Sequence, residues 1–192
     1  MVTVTATRIP QPLEQIAATI SVVSGDELRA RDVRNLDSAL SLVAGVEAPA
    51  GGDAGPSSAV PSFWGLREFD AFLLVMDEVP WGGAFNPSIT TLNLNDVERI
   101  EVLKGAAPVM YGATSFVGVV HVLHYPAGQA SNTAEVVLGN YGSARGSAAF
   151  ALPGWGDYRH SFAASGESIG FADDRQNAAN GRLLYRGALN VG

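Results

Sequence analysis

Cysteine is absent from this 192-residue chain. That excludes disulfides, thiolate nucleophiles and zinc–thiolate sites, and leaves the redox compartment open, because uncrosslinked proteins occupy reducing and oxidising spaces alike. Cations are scarce: 12 Lys and Arg stand against 19 Asp and Glu, for a formal net charge of -7. A polyanion is bound by clustered basic residues that displace its counterions, so this balance opposes such binding and no nucleic-acid partner is expected. Long apolar runs are missing as well. The longest is "AFLLVM" (71–76), whereas a spanning helix takes about 20 such residues, so no transmembrane helix is expected. The N-terminus, "MVTVTATRIPQP", has no basic region followed by an apolar stretch. No secretory signal is visible there, and the expectation is a cytoplasmic chain or an incomplete or processed product.

Signals of catalysis and metal binding are equally thin. His121 and His124 form an H-x-x-H pair, but residues an odd number apart on a strand point to opposite faces, so the two rings do not converge on one ion. Asp77 and Glu78 fail the same parity test as a carboxylate pair and suit a strand end. Gly105 and Gly112 bracket "AAPVMY" without the Gly-Lys-Ser/Thr of a phosphate cradle or the spacing of a dinucleotide fingerprint. No serine lies in Gly-x-Ser-x-Gly. No enzyme, cofactor or metal site is expected.

What is present is enough apolar material for a core, 47% of residues. "VTVTAT" (2–7) alternates and is β-branched, and Pro10 and Pro12 stop regular pairing after it. "TISVV" (19–23) reads as a short strand. Ser24 with Glu27 is a capping box that opens a helix over about 25–32. Leu36, Ala39, Leu40 and Val43 follow helical spacing with Gly45 as the stop. "APAGGDAGPSSAVP" (48–61) marks a long loop. "AFLLVMDEVP" (71–80) is a buried strand ending in a turn, "WGGAFNPS" (81–88) another loop, and "VERIEVLKG" and "SFVGVVHVLH" two further strands. In the first of these, Val97, Arg99, Glu101 and Leu103 share one face, with Glu98, Ile100 and Val102 on the other. That mixture suits either a solvated edge strand or a surface set against a second polar wall.

Beyond Pro126 the texture changes to segments of about ten residues separated by turn formers, with no helical pattern. In the last, Leu183, Tyr185, Leu189 and Val191 hold one parity while Arg182, Arg186 and Asn190 hold the other. A membrane barrel wall carries that alternation, and so does an antiparallel sheet with one solvated face. The strands are too few to close a barrel.

In order, "VTVTATRIPQPLEQIAATISVVSGDEL", "LDSALSLVAGVE", "GLREFDAFLLVMDEVP" and "VERIEVLKGAAPVMYGATSFVGVVHVLH" resemble the plug domain of TonB-dependent outer-membrane receptors over about residues 2–125. The chain departs from that family's pattern at several points. Glu68 and Glu78 stand where glycine usually follows the Arg and Asp of its signatures, and Ala44 replaces a proline. Lys104 takes an arginine's place, the proline after it is displaced to Pro108, and "HVLHYPAG" lacks the usual threonine-lysine exit.

The resemblance implies an α+β plug domain, a small mixed sheet with short helices, over 1–126. Antiparallel strands of an incomplete transmembrane β-barrel follow over 127–192. It implies an outer-membrane receptor that takes up a scarce solute, such as a metal chelate, with energy coupled through TonB and with the outer-membrane bilayer as a further partner. Residues Val2, Thr3, Val4 and Thr5 correspond to the stretch around the TonB-coupling segment. Phe63, Trp64, Trp81, Phe85 and Asn86 fall in two apical loops facing ligand, where the alternative for any one aromatic is simple packing. Arg67, Glu98, Arg99 and Glu101 fall where the plug meets the barrel wall, held by water-accessible ion pairs worth about 0–1 kcal/mol each. A reading from another class is a non-transporting, β-rich surface or adhesin-type protein, distinguished by indifference to TonB.

Overall fold

A computed structural model describes residues 3–4, 11–12, 19–48, 60–66, 72–81, 89, 92–105, 117–172 and 177–189. The chain forms two compact units, residues 1–94 with 98–124, and residues 95–97 with 125–192. Among the described residues no helix is long and apolar enough to cross a membrane.

In the first unit, β1 (Thr3–Val4) pairs antiparallel with β2 (Gln11–Pro12). Then follow β3 (Thr19–Ser24), α1 (Gly25–Ala30), α2 (Leu36–Leu40), β4 (Val46–Glu47), β5 (Ser62–Phe63), β6 (Phe72–Met76), β7 (Val79–Trp81), β8 (Val97–Lys104) and β9 (Gly118–His124). Five of these strands form a sheet in the order β3-β8-β9-β6-β7, mixed in direction: β3–β8 and β6–β7 are antiparallel, β6–β9 parallel. A strand covered on both faces reads as a continuous apolar run. "FLLVM" and "GVVHVLH" do so because they are interior strands, with Leu74, Val75, Val119, Val120 and Val122 each at most 2% exposed. Val75, Leu103 and Val119 form a core cluster against which Ile20 and Leu73 pack.

The helices follow their capping chemistry. Ser24 accepts the Glu27 N–H at 3.1 Å and opens α1. That helix ends at Ala30, short of the expected 32, because Asp32 takes a left-handed φ of 54°. Leu36, Ala39, Leu40 and Val43 are buried, as their spacing predicts. The α-helix nevertheless stops at Leu40, and tighter turns carry the chain on, with Leu42 N–H bonding Ala39 O and Val43 N–H bonding Leu40 O.

The second unit is an antiparallel meander, β10 (Thr133–Leu138), β11 (Ala144–Trp155), β12 (Tyr158–Ile169) and β13 (Ala178–Leu189), in sequential order. Gly156 and Asp157 close the β11–β12 hairpin in a two-residue turn, for which Gly156 supplies a φ of 57°. Segments expected from the sequence to run for about ten residues extend to 12 in the last three strands.

Candidate functional site

Trp64 stands at the tip of a tight hairpin, with a φ of 54° and its N–H donating to Gly45 O at 2.8 Å. Its ring lies over Gly45, where a Cβ would come within 2.8 Å of the ring carbons, so glycine is required there for contact as well as for its φ of 80°. The Lys104 ammonium sits 5.2 Å from the ring centroid and donates to Ser21 Oγ (3.0 Å) and Ala44 O (2.8 Å). The cation thus fixes the indole from one side, and the side chain remains 61% exposed. Trp81 ends β7 opposite Leu74 and is 50% exposed. Phe63 differs from both: it is 1% exposed and its ring packs against Phe72 at 5.9 Å between centroids. The expectation that it faces solute is corrected to core packing, because β5 turns that ring inward, over Gly118. Phe85, Asn86 and Arg67 lie outside the described residues, as do Val2 and Thr5; Thr3 and Val4 form β1.

The charges of β8 are arranged differently from the expectation. Arg99 and Glu101 share a face, as parity requires, and bond at 2.8 Å, while Arg99 also reaches Glu98 at 3.2 Å. Glu101 is only 1% exposed. The pair is therefore not the water-accessible contact expected of it, because burial leaves Glu101 no outer surface to present. Glu98 and Arg99 keep partial exposure.

Beside this pair the two histidines of β9 meet one turn. His121 Nε2 accepts the Glu78 N–H at 3.1 Å. His124 donates its backbone N–H to Asp77 Oδ1 at 2.9 Å and sets Nδ1 3.0 Å from Asp77 Oδ2. What the sequence did not reveal is that the β6–β7 turn straddles the strand end and engages both. Among the described residues no group of three or more His, Asp or Glu side chains could hold a metal.

In the second unit the registers sort the side chains onto two faces. Glu135, Arg145, Arg159, Glu167, Arg182 and Arg186 all lie on one, with Ser147, Ser161 and Ser165 between them. Asn180 Nδ2 donates to Glu167 Oε1 at 2.6 Å on that face. The other face carries Val136, Leu138, Phe150, Phe162, Leu183, Tyr185 and Leu189 and none of the strands' Asp, Glu, Lys or Arg. Most of the large apolar side chains named there are exposed, Val136 at 78%, Leu138 at 79% and Leu183 at 71%. Tyr158 on this face lies across Gly187, where a Cβ would strike its hydroxyl. Its hydroxyl bonds that of Tyr185 at 2.9 Å, and the Tyr185 hydroxyl bonds His160 Nδ1 at 3.1 Å.

Asn95 and Asp96 escaped sequence reasoning. Asn95 Nδ2 donates to Ala164 O (2.9 Å) and Ala148 O (3.3 Å), and Asp96 Oδ1 accepts the Ser131 N–H at 2.9 Å. The available signal was an Asn-Asp pair just before a strand, a turn former whose long-range partners no local pattern announces.

Residues 12–119 match the family model of the TonB-dependent Receptor Plug Domain. The vitamin B12 transporter BtuB of Vibrio vulnificus is 31% identical over 125 residues, 64% of this chain and 20% of that protein. The iron-regulated outer membrane virulence protein of Vibrio cholerae is 27% identical over 128 residues, 62% of this chain and 19% of that protein. Among solved structures, the pyoverdine outer membrane receptor FpvA of Pseudomonas aeruginosa superposes with a TM-score of 0.81 at 17% identity, over 98% of this chain and 28% of that one. The alcaligin receptor FauA of Bordetella pertussis gives 0.68 at 17% identity, over 86% and 29%. The chain spans about a fifth of the length of the curated relatives it matches.

Proposed function

Because the chain belongs to the TonB-dependent receptor plug domain family, whose members are transport receptors and not enzymes, we propose that the whole protein takes up a scarce solute across the outer membrane with energy coupled through TonB. Residues 1–126 are the plug domain and 127–192 the first strands of the barrel wall. The observation that carries this reading is the segregation of charge in the second unit: six charged side chains on one face and exposed leucine, valine and aromatic residues on the other. In water an antiparallel sheet buries its apolar face and solvates its polar one. Here the apolar face is the exposed one, as hydrocarbon on one side and a wet lumen on the other require.

The solute is a metal chelate. This rests on the names of the relatives, a vitamin B12 transporter and a receptor bound to ferripyoverdine among them. Trp64 and Trp81 offer aromatic faces suited to a rigid solute, and Phe85 and Asn86 complete the proposed ligand-facing set. Val2 to Thr5 couple to TonB by strand addition, a mode to which the strand Thr3–Val4 is suited.

Uptake of radiolabelled cobalamin and of ferric siderophores, in cells carrying the full-length protein with and without TonB, tests the reading. Uptake of one of these probes that disappears without TonB is the expected outcome. Trp64→Ala with Trp81→Ala then weakens binding of that probe and leaves outer-membrane assembly intact. Uptake of none of them, with surface display unchanged by loss of TonB, would transfer the protein to the non-transporting surface class.

A further inference from the structure

The Asp77–Glu78 turn is built from residues that resist its shape. Both have left-handed backbones, φ 46° and 69°. Hairpin turns with positive φ at both central positions are ordinarily made by Asn-Gly or Asp-Gly, because a long side chain enters that region at a cost. The strand that follows, β7, is an edge strand among the described residues, paired there with β6 over Val79 to Trp81. Its attachment therefore depends on the turn being held.

The holding groups come from β9. The backbone N–H of Asp77 donates to Val122 O at 3.0 Å. On either side of that bond, His121 Nε2 accepts from the Glu78 N–H and His124 engages the Asp77 carboxylate. An imidazole nitrogen that accepts a hydrogen bond carries no proton, so His121 holds the turn only as the neutral ring with its proton on Nδ1. Once protonated, it turns an N–H toward the Glu78 N–H, and two donors face each other. The groups around His121 are Glu101 and Arg99 of β8 and Asp77 and Glu78 of the turn, with His124 on its own strand.

We propose that His121 and His124 are positioning residues for the strand bearing Trp81, holding the Asp77–Glu78 turn closed while His121 is neutral and releasing it on acidification. Only what Trp81 then contacts rests on the receptor reading. Burial lowers the His121 pKa below its usual 6.5, outweighing the opposing pull of Glu101, Asp77 and Glu78. The sign follows. The hold is complete above 6.5 and is lost as pH falls through the folded value.

Hydrogen exchange of the Glu78, Val79 and Trp81 amides in the full-length protein in detergent, corrected for the intrinsic rate at each pH, reads the turn without any solute. Protection should fall by up to about tenfold per pH unit between 6.5 and the folded His121 pKa, and level off below it. In His121→Gln, the side-chain oxygen accepts from the same N–H and does not titrate, so protection should stay flat. Glu78→Gly relieves the strained residue and should keep Val79 and Trp81 protected over the same range. Wild-type protection that ignores pH, or either variant opening in step with the wild type, overturns the proposal. A failure of Trp81→Ala to affect solute binding would count against the receptor reading and leave the exchange result standing.

Discussion

Replacing Leu183 by arginine separates a hydrocarbon-facing wall from a sheet in water. Leu183 is 71% exposed and lies near the middle of the 12-residue β13. At about 3.3 Å per residue such a strand is ~40 Å long. Tilted by about 40°, it spans ~30 Å along the membrane normal, enough to cross an apolar band of ~25 Å with Leu183 near its centre. An arginine there costs roughly 2–4 kcal/mol. At an exposed position in water the same change stays within about 0.5 kcal/mol. Ser147→Arg is the control, since Ser147 lies on the charged face opposite Glu135 and gains an opposite-sign cross-strand neighbour. The assay is urea-dependent folding of the full-length chain into phospholipid vesicles. Leu183→Arg should lose most of the predicted energy and Ser147→Arg little. A Leu183→Arg protein that folds into vesicles within about 0.5 kcal/mol of wild type would refute the assignment of that face to lipid.

Arg99→Met strips the 2.8 Å partner from Glu101, which is 1% exposed, and should cost about 3–5 kcal/mol in urea unfolding, whereas Arg99→Met with Glu101→Leu should recover most of it. Equal losses in single and double variants would show that the pair contributes nothing as a pair. Asp37 is buried with an unbonded Oδ1, and burial raises its carboxyl above the usual 3.8 against the opposing pull of the Ser38 and Asp37 backbone N–H groups. A raised folded value means a contribution fully present below 3.8 and lost as pH rises through that value. The unfolding free energy of wild type relative to Asp37→Asn should therefore increase on acidification toward about pH 4; parallel pH profiles would contradict the assignment.

Much of the first unit was legible because its signals are local. Ser24 caps the helix three residues ahead of Glu27, and the i, i+3, i+4, i+7 set at Leu36, Ala39, Leu40 and Val43 predicts its buried face. The order of plug-like segments was legible in the same way. The candidate site was less so. Trp64 and Trp81 are exposed and Phe63 is not, yet all three are aromatic residues beside loop-rich sequence. Nothing local separates them, since burial depends on which strand and which glycine lie opposite.

By itself the sequence determined the side-chain alternation of the last strands, the capping of α1 and the lack of thiol chemistry in these 192 residues, because each depends on spacing or composition along the chain. Tertiary structure alone decided that Glu101 is an interior charge, that two histidines of opposite parity meet one turn, and that Asn95 bonds carbonyls 53 and 69 residues away. The physical reason is common to all three. A strand's period specifies which side chains share a face, but what that face meets is set by neighbours distant in sequence, through hydrogen bonds that no local periodicity encodes.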